Sequence, residues 1–427
     1  MWKLYVILAL SLLTGIPLSA QVTLEECVKL AQDNYPLIRK YDLLEQTKDV
    51  NLSDIHKSWL PQINVYAQGT VQNETPSFPE SLTELISQTG TSISGLNEWQ
   101  YKIGVDLSQN IWDGGASKSQ RRMERAEDTE RKAALDVQLY AIRQRVEDLY
   151  FGILLIEEQA EQTRAMHSLL QSNLDKLQAM LDNGTALQSD VDMVEAQCLG
   201  TAQQLTQAES MAKSYRKVLE ILIGKSIAGQ ELVRPDATLP QDLLSARPEL
   251  RHYEAQLQAN EARNAGITAG LMPRIGLFAQ AYYGYPGLDY FESMMNRDLS
   301  FNLLAGVKVS WNIGAFYHKK NDRQKLRLSS DHIAVERDVF LFNTSMQTRS
   351  QLDRIDELKA VMAKDDRIVE LRQNVRMAAE SQLGNGVIDA TALLTKLTDE
   401  KQARLNASYH EIQLLQSIYQ LKYTLNQ

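Results

Sequence analysis

Pro61-Gln62-Ile63-Asn64-Val65-Tyr66-Ala67-Gln68 returns 212 residues later as Pro273-Arg274-Ile275-Gly276-Leu277-Phe278-Ala279-Gln280. In both copies apolar side chains stand at every second position, the period of a strand with one apolar face, and a proline opens the run. The same offset holds upstream, where Pro36-Leu37-Ile38-Arg39-Lys40-Tyr41 matches Pro248-Glu249-Leu250-Arg251-His252-Tyr253. Downstream the offset is 202: Val105 meets Val307, Asn110-Ile111 meets Asn312-Ile313, and Leu181, Asn183 and Gly184 meet Leu383, Asn385 and Gly386. A repeat on this scale sets the organisation of the chain. The change of offset belongs in the connection between the two strands of each half, because loops tolerate changes of length.

Each half carries the same order of signals. A helix comes first, over 24 to about 58 and over 248 to about 270, each followed by a proline two or three residues past its end. Two strands follow. Ile63, Val65, Ala67, Gly69 and Val71 alternate with polar neighbours, as do Ile103, Val105 and Leu107. The second half does likewise with Ile275, Leu277, Ala279, Ala281 and Tyr283, then Leu303, Ala305, Val307, Val309 and Trp311. Alternation alone does not separate a face turned to a soluble core from one turned to lipid. Long helices come next. Leu135, Leu139, Ile142, Val146, Leu149, Ile153, Ile156 and Ala160 are spaced by fours and threes, and the phase resumes at Leu170, Leu174, Leu177 and Leu181, which is a heptad seam. As one helix, 116–182 would be roughly 100 Å long. Asn183-Gly184 stops it, and a second seam runs from Val191 through Val194, Cys198 and Thr201 to Leu222. The second half turns at Asn385-Gly386 and ends near Tyr423, with a less regular stripe. Residues 224–247, rich in Gly, Pro and Asp, join the halves and leave room for a short helix. The expected organisation is therefore a leader over 1–20, a first repeat over 21–223, the linker 224–247 and a second repeat over 248–427.

Composition narrows the class. The chain has 427 residues, 44% of them hydrophobic and 23% charged, with a net charge of -9 and a mean hydropathy of -0.33. Those values exclude a polytopic helical membrane protein and a disordered chain, and they give no electrostatic footprint for nucleic acid. All ten prolines lie outside 80–234 and 287–427, where uninterrupted helices can form. Cys27 and Cys198 are too few for a disulfide framework or a four-thiolate metal site, and the six histidines show no metal-ligand spacing. Gly224-Lys225-Ser226 is similar to the end of a phosphate loop, but the glycine required five residues earlier is Leu219. No Gly-x-Ser-x-Gly elbow occurs. Neither a catalytic site nor a cofactor or metal is expected. Met1-Trp2-Lys3, the apolar run 4–13 and Pro17-Leu18-Ser19-Ala20 before Gln21 read as a secretory signal; the run falls short of the ~20 residues of a membrane span. Any further entry into a membrane would have to be as β-strands.

Four strands are fewer than the ~8 of the smallest single-chain membrane barrel, so several chains would have to share one. In this twofold order of elements the chain resembles the outer-membrane factor family, the TolC-like exit ducts of efflux pumps and type I secretion systems. The resemblance spans 24–423. It is carried by Thr23-Leu24-Glu25-Glu26-Cys27-Val28-Lys29-Leu30-Ala31 with Asn34 and Pro36, the Leu60-Pro61 strand entry, Ile111-Trp112-Asp113-Gly114-Gly115 at the first strand-to-helix junction, and the Asn-Gly turns.

The resemblance implies a mainly α fold with a membrane β part. Long antiparallel α-helical hairpins would build an α-barrel in the periplasm, and four transmembrane strands per chain would complete a β-barrel in the outer membrane as a homotrimer. Implied partners are outer-membrane lipid, a periplasmic adaptor (membrane fusion protein) and an inner-membrane pump of RND or ABC type, with the chain as a passive duct and not an enzyme. The alternative is the periplasmic coiled-coil adaptor itself. Asn183, Gly184, Asn385 and Gly386 would form the hairpin tips, and Trp112, Gly114, Gly115 and Gly314 the junctions of barrel and helices. An aperture or gate would lie just past the tips. Asp190 stands at the family's spacing after Gly184, whereas Ala392 and Thr395 occupy the matching positions of the second half. Asp192 and Asp389 are nearby substitutes, although a carboxylate at a helix start also serves as a cap. Odd-numbered apolar strand residues would face lipid, with Asn64, Gln68, Lys102, Asp106, Lys308 and Ser310 on a wet lumen. Residues 73–99 and 284–299 would be extracellular loops, and Trp59, Trp99, Tyr101, Trp112, Tyr290 and Trp311 would mark the interfaces.

Overall fold

The computed structural model describes residues 21–90, 93 and 95–427. The expected secretion signal at 1–20 lies outside the described residues. The chain runs α1 (Leu24–Asn34), a 3-10 turn (Pro36–Arg39), α2 (Lys40–Lys57), β1 (Gln62–Val71), α3 (Glu80–Ser87), β2 (Trp99–Trp112), α4 (Ala116–Asp182) and α5 (Gln188–Ile223). It continues with α6 (Pro248–Gly270), β3 (Arg274–Tyr285), α7 (Tyr290–Met295), β4 (Ser300–Ser310), α8 (Ala315–Met362), α9 (Asp365–Gly384) and α10 (Ala390–Leu425). Its contacts divide it into two units, each drawn from both halves of the sequence. One takes in the chain up to Tyr41 with 133–252 and 336–427, the other 42–132 and 253–335.

The second of these units holds one antiparallel sheet in the order β1-β2-β3-β4. Its register lines up whole rows, such as Val65 with Val105, Val105 with Ala281, and Ala281 with Leu303. One irregularity breaks the count. Asn110 pairs with Gly276 but Trp112 pairs with Ile275, so Ile111 is the extra residue of a β-bulge. The connections β1 to β2 and β3 to β4 each carry a short helix and pack together through Phe78, Leu96, Tyr285 and Met294. The Tyr285 hydroxyl accepts from the Asn97 amide at 2.8 Å and donates to the Ser293 carbonyl at 3.1 Å. On the helical side, Arg263 of α6 reaches Glu127 of α4 at 3.0 Å, and Asn260 donates to Ser329 of α8 at 3.0 Å.

The other unit is helical. Val146, Tyr150, Phe151, Ile153 and Leu170 of α4 are fully buried, and on α5 Val191, Val194, Cys198, Thr201, Ala208, Ala212 and Leu219 lie inside. Val146, Ile153, Leu170 and the α5 residues follow the heptad spacing of the sequence, because a seam of that period keeps one helix face against its neighbours, while Tyr150 and Phe151 are buried beside that seam. The Tyr150 hydroxyl, buried beneath the linker, meets the carbonyls of Val22 at 2.8 Å and Val233 at 2.6 Å.

Three expectations need correction. The helix over 24–58 is two helices with a 3-10 turn between them: the residue before a proline is driven out of helical geometry, and Tyr35 sits at φ -66°, ψ 128°. The linker forms no helix. It runs extended and pairs with the start of the chain through a parallel bridge of Val22 with Leu232, which satisfies its backbone without one. The second long helix is interrupted between Met362 and Asp365. There Asp365, with its side chain drawn to His410 of α10 at 2.8 Å, opens a new helix with two carboxylates in its first turn, where the dipole favours them.

Candidate functional site

The sheet has two chemically different faces. Odd-numbered side chains make an apolar face that nothing among the described residues covers: Ile63, Val65, Ile103, Phe301, Leu303, Val307 and Val309 are all more than half exposed. A soluble protein would bury such a face, since each of these side chains is worth ~1.5–3 kcal/mol when removed from water. The even-numbered face is polar. The Gln280 amide donates to Asp106 at 2.8 Å and to the Tyr66 hydroxyl at 3.0 Å, linking three strands, and the Lys102 ammonium lies 5.4 Å from the centre of the Tyr282 ring. Asn64, Gln68, Lys102, Asp106, Lys308 and Ser310 all fall on this side by register. Trp112 does not follow its number. The bulge at Ile111 turns it onto the apolar face opposite Ile275, where with Trp311 it ends the strands, while Trp99, Tyr101 and Phe301 stand exposed toward the other end.

The two strand-to-helix junctions differ. In the first, Asp113 is buried and accepts from the Gly115 amide at 2.9 Å, the Ser117 amide at 2.7 Å and the Ser117 hydroxyl at 2.5 Å. Burial raises its pKa, but these hydrogen bonds outweigh it and hold the carboxyl below its ordinary value. Gly114 and Gly115 both take positive φ, and at Gly114 a β-carbon would also collide with Met272. In the second, Gly314 has no such constraint, and α8 starts on backbone bonds such as the Ala315 amide to the Asn312 carbonyl at 3.3 Å. Asp113 belongs to the quoted junction motif, yet residue type alone does not disclose its capping role.

The hairpin tips are alike in detail. Asn183 and Asn385 each return a side-chain bond to the carbonyl four residues back, at 2.7 and 2.8 Å. Gly184 and Gly386 take φ of 74° and 70°, and the next residue of each bonds five residues back at 2.9 Å. Four helices, α4, α5, α9 and α10, pack together just behind the tips through Leu170, Leu177, Val191, Val194, Ala379, Ala390, Leu393 and Leu397. The three aspartates of this region each have a local bond. Asp389 caps α10 by accepting from the Ala392 amide at 2.8 Å, Asp190 accepts from the Leu187 amide at 3.4 Å, and Asp192 accepts from Gln188 at 2.7 Å. They stand at helix starts, Asp192 and Asp389 exposed and Asp190 half-buried.

Charged side chains that the sequence did not single out tie α9 to α10. Glu400, buried, accepts from Arg376 at 2.7 Å and from Arg404 at 2.9 Å, while Arg376 also holds Glu380 at 2.8 Å. On α4, Glu147 is buried with Arg143 at 2.8 Å on one oxygen and no hydrogen-bond partner on the other. Burial pushes its carboxyl up to about 7, against the pull of Arg143. A further seam was missed. Leu328, Val335, Val339, Phe342 and Met346 of α8 repeat at sevens, fours and threes, and all are more than half exposed. The spacing was legible, but nothing in it said that this stripe, rather than the one through Ile355 and Leu358, would be left without a cover inside the chain.

A family profile described as outer membrane efflux protein matches residues 29–225. The solvent efflux pump outer membrane protein SrpC of Pseudomonas putida is 28% identical over 295 residues, covering 65% of this chain and 59% of that protein. The matched region thus spans less than two thirds of that relative's length. In structure the chain is similar to the outer-membrane channel OprN, with a TM-score of 0.67 and 16% identity over 94% of this chain and 89% of that one. It is similar to VceC from Vibrio cholerae at a TM-score of 0.67 and 12% identity, over 94% and 95% of the two chains. Those structures share the fold, long helices with a small antiparallel sheet. The chain is thus similar to outer membrane efflux proteins over residues 29–225 and shares the fold of outer-membrane channels over nearly its whole length.

Proposed function

We propose that three copies of this chain form an exit duct through the outer membrane, passing substrates outward from a periplasmic adaptor and an inner-membrane pump of RND or ABC type. The observation that carries this reading is the uncovered apolar face of a sheet whose edges are also free among the described residues, where β1 pairs only with β2 and β4 only with β3. In hydrocarbon such a face is at home, and edges survive there only if they are closed. The directions alternate, so β4 of one copy runs antiparallel to β1 of the next. The strands have 10, 14, 12 and 11 residues, which suits the ~9–11 of a tilted span. The exposed seam of α8 supports assembly independently, because a heptad stripe left in water calls for another helix.

In this reading each sequence repeat supplies two strands and one long hairpin. The Asn-Gly tips face the periplasm, the junctions at Trp112, Gly114, Gly115 and Gly314 link barrel to helices, and Asp190, Asp192 and Asp389 line the aperture. The chain takes no chemical part in transport. A periplasmic adaptor would have no use for an apolar sheet face of this extent. Purified protein should run as a trimer in detergent and conduct ions in planar bilayers. A monomer without conductance rejects the duct. Protease added to intact cells should cleave within 73–99; full protection there would favour the adaptor.

A further inference from the structure

The polar face of the sheet carries an unbalanced charge. Across the four strands the apolar face has no Asp, Glu, Lys, Arg or His, whereas the polar face holds Lys102, Arg274 and Lys308 against one carboxylate, Asp106. That excess is positive on a chain whose net charge is -9. The carboxylate is engaged within the sheet by Gln280. The cations are not: among the described residues no acid lies within ion-pair distance of any of the three. Register explains why. Lys102 stands between Gln68 and Gly284, Lys308 opposite Gly276, and Arg274 opposite Ser310, so no directly opposed residue is an acid. Lys308 and Arg274 are exposed and diagonal to one another at the end of the sheet nearer the junctions, while Lys102 rests beside Tyr282 toward the other end. The polar face is thus basic along its length.

We propose that the strand-built part of the duct favours anions, with Lys102, Arg274 and Lys308 as its specificity-determining residues and small inorganic and organic anions as the preferred permeants. This rests on the duct reading, in which three copies turn their polar faces toward one lumen. Repeated cations inside low-dielectric walls then set up rings of positive potential, which concentrate anions and exclude cations by the same field.

The test is the reversal potential of the full chain in planar bilayers under a potassium chloride gradient, at low ionic strength so that the charges are not screened. Combining Lys102→Gln, Arg274→Gln and Lys308→Gln should lower the chloride-to-potassium permeability ratio about threefold relative to the parent. The single changes Arg274→Gln and Lys308→Gln, at exposed positions that folding tolerates, should each lower it by a smaller step, and Lys308→Arg should keep the parental ratio. Conducting variants with an unchanged ratio overturn the proposal. A parent that does not conduct overturns the duct reading and this proposal with it, an outcome distinct from conduction without a shift.

Discussion

The long helix of the first half and its counterpart in the second follow equivalent strand pairs yet place their apolar surface differently. α4 runs unbroken for 67 residues, and none of its large apolar side chains is exposed. α8 buries Ile355 against Ile418, Leu421 and Leu425 of α10, then leaves Val335, Val339, Phe342 and Met346 exposed on another face. One copy of the helix is satisfied by its own chain and the other is not. Duplication therefore doubled a hairpin without doubling its burial, and the surplus apolar stripe is what a neighbouring chain would have to cover.

The largest effects should come from placing a carboxylate on each helix. Val146→Asp, at a site with no exposure, buries a charge without a partner and should cost more than about 4 kcal/mol, so that little folded chain accumulates. Phe342→Asp, 63% exposed in the single chain, should leave the fold within about 0.5 kcal/mol and instead dissociate the oligomer, as read by light scattering after size exclusion. An intact oligomer would break the comparison.

The same contrast appears in titration. Glu147 holds its proton up to about 7 in the folded chain, against an ordinary 4.5. Between those values the folded state binds more protons than the unfolded one. Its contribution to stability is thus full below about 4.5, declines as pH rises through about 7, and levels off above, a loss of up to about 3 kcal/mol. Glu147→Gln should flatten that part of the urea-midpoint profile. The repeat places Arg349 at the matching position, exposed and paired with Asp353 at 2.9 Å, and Arg349→Gln should leave the profile unchanged.

At the helix starts, Asp113→Ala removes the three bonds that begin α4 and should cost about 1–2 kcal/mol. Asn312→Ala, whose role at α8 is carried by its backbone carbonyl, should cost under about 0.5 kcal/mol. The smallest difference is expected at the tips. Gly184→Ala and Gly386→Ala both impose a left-handed residue and should each cost about 1 kcal/mol; equal denaturation midpoints would mark the turns as interchangeable, and unequal ones would distinguish them.

Where local chemistry decides the backbone, the sequence reads directly. The bounds of α4 and α6, the four strands and both tips follow from period, proline and Asn-Gly alone. Where a distant residue decides it, the sequence is silent. The break before Asp365 involves a histidine 45 positions away, and no glycine or proline announces it. The proline at 36 was visible, but only its steric effect on Tyr35 shows that it divides a helix. The candidate site divides in the same way. The aspartates near the tips were legible as helix-start residues, whereas the buried Arg376–Glu400–Arg404 cluster needs the packing of α9 on α10, which heptad spacing does not specify.

The extra residue at Ile111 gives the molecule a form of tolerance. A strand read by twos cannot change length by one without reversing the environment of every residue beyond the change. By absorbing an odd residue between Asn110 and Trp112, the bulge separates the count of the sheet from the count of the helix. Lengths on either side of it can then drift in descent without turning a tryptophan away from the apolar face or shifting the start of a helix that runs for 67 residues.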